Sequence, residues 1–192
     1  MALKLVLASS SPRREKLLKL MGLKFTIVPS KIDESVYTNL PPRDMVQELA
    51  RAKASEVGEL VEESCVIAAD TVVVKGNKIL GKPSSHEEAI DMLSGLQGEK
   101  HTVLTGLAVL STENGKILVD YDKTDVYMRE MDKQEIISYV NTGEPMDKAG
   151  SYAIQGLGGI FVERIKGSYF TVMGLPIHKL SLMLKEFSID VI

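Results

Sequence analysis

Asp70 is the residue of this 192-residue chain whose type and surroundings most directly suggest chemistry. It lies within an apolar, β-branched run from Val66 to Val74, which is the composition of a buried central strand. Burying an ionised carboxylate costs several kcal/mol unless a cation or a metal ion lies beside it. The alternative is an aspartate that caps a turn at a strand end, but Val72 and Val73 continue the strand beyond Asp70. The pattern therefore favours a carboxylate that holds Mg²⁺ or Mn²⁺ through oxygen ligands.

The segment from Ser9 to Arg14 is a second candidate site, because a strand ends and a helix begins there. Pro12 suits the first helical position, and Ser11 suits the N-cap before it. Free N–H groups, hydroxyl groups and the guanidinium groups of Arg13 and Arg14 would face one point, which favours anion binding. The alternative is a plain cap followed by two solvated arginines. We prefer the anion site because the arginines occupy the first turn, where the helix dipole opposes positive charge.

Two lysines could contact phosphate as single cations. The stretch from Gly76 to Lys82 matches most of a phosphate-binding P-loop, but Pro83 stands where that motif needs a hydroxyl group for magnesium. The stretch also has the pattern of a hairpin rather than of a strand followed by a helix, so we reject a P-loop and keep Lys82 as a candidate. Lys53, which we place on the polar side of its helix, is by itself interpreted as a solvated lysine.

The loop from Glu144 to Gly156 is dense in charged and small residues, which is typical of a shaped functional loop. The carboxamide of Gln155 could donate one hydrogen bond and accept another, and so could read the adjoining N–H and C=O of uracil or thymine. An ordinary surface amide is an equally open interpretation. Asp33 and Glu34 could add a second carboxylate to the Asp70 site, although by themselves they resemble ordinary loop acids.

The elements that would position these residues alternate between strand-like and helix-like periods. Hairpin turns are predicted at Gly76–Asn77 and Asn114–Gly115, and capping boxes at Ser85 with Glu88 and at Asp132 with Glu135. The predicted strands are 4–8, 25–28, 66–74, 79–80, 101–110 and 116–128, with two more around Lys166–Gly167. The predicted helices begin after Ser11, at Asp44 (through Leu60), after Ser85, after Asp132 and after Pro176. The pattern predicts a mixed α/β chain that forms one domain over residues 1–192.

Composition narrows the class of protein. The chain has 23 basic and 26 acidic residues and a net charge of −3, which gives no general attraction for nucleic acid. Cys65 is the only cysteine, which excludes an intrachain disulfide, and the three histidines have no zinc-ligand spacing. No segment has the pattern of a signal peptide or the ~20 apolar residues of a membrane span. We expect a soluble, cytoplasmic protein with neither a nucleic-acid nor a membrane partner.

Taken together, these motifs resemble those of the Maf family of nucleotide pyrophosphatases over essentially the whole chain. The matching segments, in order, are Leu7-Ala8-Ser9, Ser11-Pro12-Arg13-Arg14, Ala69-Asp70-Thr71, Gly81-Lys82-Pro83, Glu144-Pro145, Asp147-Lys148-Ala149-Gly150, Ile154-Gln155-Gly156 and Gly174-Leu175-Pro176. The resemblance implies an α/β fold with an elongated mixed β-sheet flanked by helices. That fold would form two lobes with a central cleft, as in inosine triphosphatase-like proteins, and a homodimer.

The resemblance also implies a reaction and roles for residues. The reaction is hydrolysis of a nucleoside triphosphate between its α and β phosphates, and Asp70 is the residue that the resemblance makes the acid-base catalyst. The residues Arg13, Thr71 and Gln155 imply the branch of the family that acts on dTTP and UTP. The metal, Mg²⁺ or Mn²⁺, is expected at Asp70 and at Glu34, which we prefer to Asp33. The full expected substrate-binding set is Ser9, Arg13, Arg14, Lys53, Thr71, Lys82 and Gln155.

Three questions stay open at the level of the sequence. Asp70 could be the base, a metal ligand or both. The substrates could include damaged or modified pyrimidine nucleotides as well as dTTP and UTP. A non-catalytic, nucleotide-binding regulator of cell division is the alternative function, since the family has a link with septum formation.

Overall fold

The computed structural model describes residues 4–192, and these residues divide into two compact units. The first unit combines the described part of Met1–Asp70 with Thr105–Asp122 and Gly174–Ile192. The second unit combines Thr71–Leu104 with Lys123–Met173. Three long strands contribute residues to both units, so the single domain expected from the sequence stays a prediction.

The described residues contain a seven-stranded mixed sheet and six α-helices, which confirms the predicted mixed α/β class. The strands are β1 (Lys4–Leu7), β2 (Phe25–Ile27), β3 (Ser64–Lys75), β4 (Lys78–Leu80), β5 (Lys100–Ser111), β6 (Ile117–Met128) and β7 (Val162–Lys166). The helices are α1 (Pro12–Leu20), α2 (Pro42–Gly58), α3 (His86–Leu96), α4 (Lys133–Asn141), α5 (Tyr169–Met173) and α6 (Ile177–Lys185). Short 3-10 turns cover Glu34–Tyr37, Glu144–Asp147, Ala149–Ser151 and Leu157–Phe161.

The strand order is β2-β1-β3-β5-β6-β7, and β4 pairs with β3 outside this path. In the first unit, β1 is parallel to both β2 and β3, so that Val6 lies beside Thr26 and Val66. The helix α2 packs on this part of the sheet through small side chains such as Ala50 and Ala54. Its backbone lies so close to β5 that a Cβ atom at Gly106 would collide with the carbonyl group of Val46.

In the second unit, β3 and β4 form the predicted hairpin. They are antiparallel, with Val73 opposite Leu80, and Gly76 has a φ of +58° in the turn, a region that favours glycine. This hairpin has the wrong geometry for a P-loop, so the rejection of that motif is confirmed. No helix among residues 4–192 is both long enough and apolar enough to cross a membrane.

Local signals predicted several boundaries correctly. Asp132 accepts a hydrogen bond from the N–H of Glu135, whose carboxylate accepts one from the N–H of Asp132, so the second capping box is confirmed. Ser85 caps α3 as predicted, but the carboxylate of Glu88 accepts hydrogen bonds from the N–H and hydroxyl groups of Ser84 instead. The first predicted capping box is therefore only half formed.

One predicted strand is wrong. Of the two strands expected around Lys166–Gly167, only β7 forms, and the residues after Gly167 form the helix α5. Gly167 has a φ of +136°, and the Thr124 hydroxyl group donates to the Ser168 carbonyl and accepts from its N–H. The Ser168 hydroxyl group then accepts from the N–H of Phe170. These contacts turn the chain into a helix although its side chains are β-branched and aromatic.

Candidate active site

Asp70 lies in the buried strand β3 and forms an ion pair with Lys53 of α2. The Asp70 residue is 7% exposed and Lys53 is 8% exposed. The Lys53 ammonium group donates a hydrogen bond to Asp70 Oδ1 at 2.6 Å. The charge compensation that the apolar strand requires is thus present in the protein itself, as a lysine rather than as backbone donors.

The position of Lys53 corrects the prediction from the sequence, which placed it on the polar side of its helix. Lys53 lies on the buried face of α2, within the stripe of buried residues that includes Leu49, Ala50, Ala54 and Val57. Residues three and four apart share one face of a helix, and position 53 follows 49 and 50 at that spacing. A lysine within this stripe is therefore held in the interior, where an ionised partner is needed.

A second carboxylate, that of Glu34, contacts the same ammonium group. Glu34 Oε1 lies 2.6 Å from Lys53 Nζ, and its side chain is 57% exposed. Asp33 instead caps the 3-10 turn Glu34–Tyr37, because its carboxylate accepts a hydrogen bond from the N–H of Ser35 at 2.9 Å. This geometry supports the choice of Glu34 over Asp33 as the second acid of the site.

The helix α2 also fixes the segment that leads to Glu34. The Glu56 carboxylate accepts a hydrogen bond from the Ser30 hydroxyl group at 2.5 Å and one from the N–H of Lys31 at 2.9 Å. Glu56 lies three residues after Lys53, so both side chains leave neighbouring turns of the same helix. One rigid element therefore places the lysine and anchors the chain that carries the second carboxylate.

Arg14 adds a second cation near this pair. Its Nε atom donates to the carbonyl oxygen of Gly174 at 2.9 Å, and its Nη1 atom donates to the Ser9 hydroxyl group at 3.2 Å. Ser9 also accepts a hydrogen bond from the N–H of Ser11, whose own side chain does not cap α1. The predicted cap is therefore right in position but not in bonding, and Ser9 is the hydroxyl group that organises this turn.

The charges of this cluster influence each other. Burial raises the pKa of Asp70 above its ordinary value, while Lys53 and then Arg14 act in the opposite direction. Burial lowers the pKa of Arg14, and the charge of Asp70 opposes that change. The first unit thus holds a carboxylate that is more basic than a solvated aspartate, next to two cations.

Three of the remaining candidate residues, Thr71, Lys82 and Gln155, belong to the second unit. Thr71 is half-buried in β3, and Lys82 is exposed just after β4. The carbonyl oxygen of Gly81 accepts a hydrogen bond from the N–H of Gly150 at 3.0 Å, which ties the chain beside Lys82 to the turn before Gln155. Within residues 4–192, the side chains of Arg13, Lys82 and Gln155 form no hydrogen bond or ion pair with protein atoms.

Gln155 lies in a loop, residues 148–158, that we call the Gln155 loop. Several groups outside the loop hold its backbone and its buried side chains. The Tyr152 hydroxyl group lies 2.7 Å from Nε2 of the buried His101. Burial lowers the pKa of His101 to about 4, so the imidazole is neutral at physiological pH and can accept this hydrogen bond. Gln155 itself is half-buried.

Glu144 has a role near this loop that the sequence did not reveal, although the motif Glu144-Pro145 was among the matching segments. Its carboxylate accepts hydrogen bonds from the N–H of Leu157 at 3.0 Å and from the N–H of Gly158 at 2.9 Å. It also accepts one from the Tyr139 hydroxyl group at 2.9 Å. Burial would raise the pKa of Glu144, but these donors lower it below its ordinary value. The two N–H donors belong to the 3-10 turn Leu157–Phe161, which begins directly after Gly156.

Comparison with known proteins identifies the family. A family model described as "Maf-like protein" matches residues 4–187. The chain belongs to the Maf-like family. Its Maf-like sequence is 48% identical over 191 residues to a dTTP/UTP pyrophosphatase of Caldicellulosiruptor saccharolyticus, covering 97% of this chain and 96% of that protein. It is 47% identical over 188 residues to the dTTP/UTP pyrophosphatase of Desulforamulus reducens, covering 98% of both chains. The resemblance stated from the motifs is therefore confirmed.

The fold of this Maf-like chain is also found in a solved structure. The structure of a HAM1 protein from Coxiella burnetii matches with a TM-score of 0.52 and 14% sequence identity. The match covers 96% of this chain and 99% of the other. At this identity the likeness concerns the fold alone, and it agrees with the inosine triphosphatase-like architecture expected from the sequence.

The Maf-like structure thus brings together, within the first unit, five of the residues singled out from the sequence: Ser9, Arg14, Glu34, Lys53 and Asp70. Arg13 is half-buried in the first turn of α1. Thr71, Lys82 and Gln155 are described within the second unit. Among the described residues, no group of three or more His, Cys, Asp or Glu side chains is arranged to hold a metal ion.

Proposed function

We propose that this chain is a nucleoside triphosphate pyrophosphatase that hydrolyses dTTP and UTP to the monophosphate and pyrophosphate. The observation that carries the proposal is the Asp70 carboxylate, buried in a strand beside Lys53 and Arg14. A protein that only needed to bind phosphate would gain nothing from a carboxylate there, because it would repel the bound anion. The names of the relatives at 47–48% identity agree with this activity.

In this proposal, the basic residues hold the triphosphate. Guanidinium groups bind phosphate oxygens in pairs, and a lysine binds them as a point charge. Arg13 and Arg14 are the proposed guanidinium ligands, and Ser9 donates a hydroxyl group next to them. Lys53 and Lys82 are the proposed ammonium ligands, and Lys82 lies on a chain segment held by Gly150.

Asp70 is the proposed general base. The oxygen of a water molecule attacks the α phosphorus, the bond from that phosphorus to the bridging oxygen breaks, and Asp70 accepts a proton from the water. A carboxylate whose pKa is raised by burial is a better proton acceptor near neutral pH than a solvated one. The nearby cations stabilise the negative charge of the departing pyrophosphate.

A Mg²⁺ or Mn²⁺ ion fits the donors of this site. Magnesium is usually held by one or two carboxylates together with substrate phosphates rather than by a full cage of protein ligands. Asp70 and Glu34 supply two such carboxylates, and both have an oxygen 2.6 Å from the same ammonium nitrogen. When bound, the ion would supply Lewis-acid neutralisation of the phosphate charge.

Thr71 and Gln155 are the proposed determinants of the pyrimidine base. The Gln155 carboxamide has a donor and an acceptor with no partner in the described protein, which are the groups that the N–H and C=O of uracil or thymine require. A site built to form two hydrogen bonds rejects bases that cannot form them. Changing Gln155 to Glu removes the amide donor and should reduce the preference for dTTP and UTP over other nucleotides.

The test is the release of pyrophosphate by Asp70→Asn, with Asp91→Asn, an exposed aspartate of α3, as the matched control. We expect Asp70→Asn to lose about 100-fold or more of kcat, because asparagine cannot accept the proton, and Asp91→Asn to match wild type. Activity of Asp70→Asn within several-fold of wild type would reject Asp70 as the base. Wild-type protein that binds dTTP but releases no pyrophosphate would favour the regulator of cell division.

A panel of common and modified pyrimidine triphosphates, assayed with Mg²⁺, with Mn²⁺ and with neither, tests the substrate range and the metal requirement. The cytoplasmic location expected from the sequence and the homodimer implied by the family remain part of the proposal. Sedimentation of the purified protein at several concentrations tests the dimer.

A further inference from the structure

The Glu144 carboxylate accepts three hydrogen bonds and has no part in the proposed reaction. Its Oε2 atom accepts from the N–H of Leu157, and its Oε1 atom accepts from the N–H of Gly158. Both donors follow Gln155 closely in the chain. Hydrogen bonds to a charged acceptor are stronger than those between neutral groups, so Glu144 holds the backbone on the C-terminal side of Gln155 firmly.

Tyr139 extends the same network to the other side of Gln155. Its hydroxyl group donates to Glu144 Oε1 at 2.9 Å and accepts from the N–H of Ala153 at 3.2 Å. Two side chains, Glu144 and Tyr139, therefore fix the backbone on both sides of Gln155. We call this pair of side chains the Glu144–Tyr139 clamp.

The backbone between these anchors has little freedom to relax. Gly156 has a φ of +109°, which side chains rarely permit, and a Cβ atom there would lie 2.6 Å from Glu144 Oε2. A Cβ atom at Gly159 would lie 2.7 Å from the carbonyl oxygen of Ile154. The Gln155 side chain makes no hydrogen bond of its own within residues 4–192, so this backbone is what sets the position of its Cβ atom and the region that its carboxamide can reach.

We propose that the Glu144–Tyr139 clamp sets nucleobase selectivity by fixing the direction of the Gln155 carboxamide. The inference rests on the proposed function, in which Gln155 reads the pyrimidine base. Readout by two hydrogen bonds requires the donor and the acceptor to be placed within a fraction of an ångström. Glu144 and Tyr139 are thus positioning residues. Losing either one reduces the preference for one base over another, but it does not remove the groups that hydrolyse the triphosphate.

The experiment compares kcat/KM for dTTP, UTP, CTP and ATP in wild type, Tyr139→Phe, Glu144→Gln and Gln155→Glu. Tyr139→Phe retains the ring that packs edge-on against Phe161 at 5.1 Å and loses only the hydroxyl group. We expect both clamp variants to lose about tenfold of the preference for dTTP and UTP over CTP and ATP, whose donor and acceptor stand in the reverse order, through a higher KM for the preferred substrates. Adding Glu144→Gln to Gln155→Glu should cause no further loss of preference, because both changes act on one readout.

Val140→Ala is the matched control, since Val140 is the buried neighbour of Tyr139 on α4 and takes no part in the clamp. It should lower stability and keep the preference. If Gln155→Glu loses the preference while both clamp variants keep it, the inference is overturned and the proposed function stands. Equal loss in Val140→Ala also overturns the inference, because it would reflect general loosening. Wild-type protein that hydrolyses neither dTTP nor UTP overturns the proposed function itself.

Discussion

Replacing Lys53 with methionine should destabilise the protein strongly, because it leaves the Asp70 carboxylate buried without its main cation. Breaking a buried ion pair by removing one partner costs about 3–5 kcal/mol. Both residues are less than a tenth exposed, so solvent screens the pair poorly. Arg14 still acts on Asp70, which sets our expectation at the lower end, about 3 kcal/mol. The contribution of the exposed Glu34 to this loss is small.

The stability that the protein loses on Lys53→Met should depend on pH. The folded-state pKa of Asp70 is raised, so the folded protein binds this proton more readily than the unfolded chain. The stability that this group contributes is therefore present below its unfolded pKa and is lost as the pH rises through its folded pKa. Removing Lys53 raises the folded-state pKa of Asp70 further, so the mutant continues to lose stability up to a higher pH than wild type. The gap between Lys53→Met and wild type should be larger at pH 8 than at pH 5.

Urea unfolding followed by circular dichroism at both pH values measures these effects. With a typical slope of about 2 kcal/mol per molar urea, the expected midpoint shift at pH 8 is about 1.5 M. Lys19→Met, which breaks a solvent-exposed pair with Glu15 in α1, should cost only about 0.3–0.5 kcal/mol. Combining Lys53→Met with Asp70→Asn should recover most of the loss, because no buried carboxylate is then left without its lysine. Equal midpoints for Lys53→Met and wild type at both pH values would refute this account of the pair.

Two further predictions concern the scaffold. Gly106→Ala should lower the free energy of unfolding by about 3 kcal/mol, because the added methyl group meets the backbone of Val46. Gly95→Ala, in the exposed last turn of α3 where nothing would meet the added methyl group, should raise it by about 0.5–1 kcal/mol. Urea unfolding of the two variants checks both signs, and a neutral Gly106→Ala would contradict the close packing of α2 on β5. Cys65 is fully buried, and burial raises the pKa of its thiol to about 12, so a thiol reagent at pH 8 should label it only after unfolding. Rapid labelling of native protein would show that β1 and β3 separate readily.

Turns and helix caps could be predicted from the sequence because they depend on residues that are close together in the chain. The Gly76–Asn77 turn and the Asp132–Glu135 capping box each need only two residues at a fixed spacing, and both formed as predicted. Asp70 was recognisable because its apolar neighbours made a buried charge costly. The sequence could not supply its partner, since Lys53 is 17 residues away and reaches Asp70 through the packing of a helix on a strand.

Contacts between residues far apart in the chain explain where the prediction was wrong and where the sequence predicted nothing. Lys53 was assigned to the polar side of α2 because lysine is usually solvated, although its spacing from Leu49 and Ala50 places it on the buried face. Glu144 gave no local signal, because the N–H groups that it accepts from lie 13 and 14 residues further along the chain. The strand predicted after Gly167 failed because contacts with Thr124 outweighed local side-chain preference.

The ion pair between Lys53 and Asp70 has a consequence for laboratory evolution of this protein. Replacing a buried ion pair by apolar side chains of similar volume is often neutral or stabilising. Selection for heat resistance alone would therefore tend to remove the two charges, and with them the general base of the proposed reaction. Libraries intended to raise the working temperature of the enzyme should keep these two positions fixed and seek their gains at exposed sites such as Gly95.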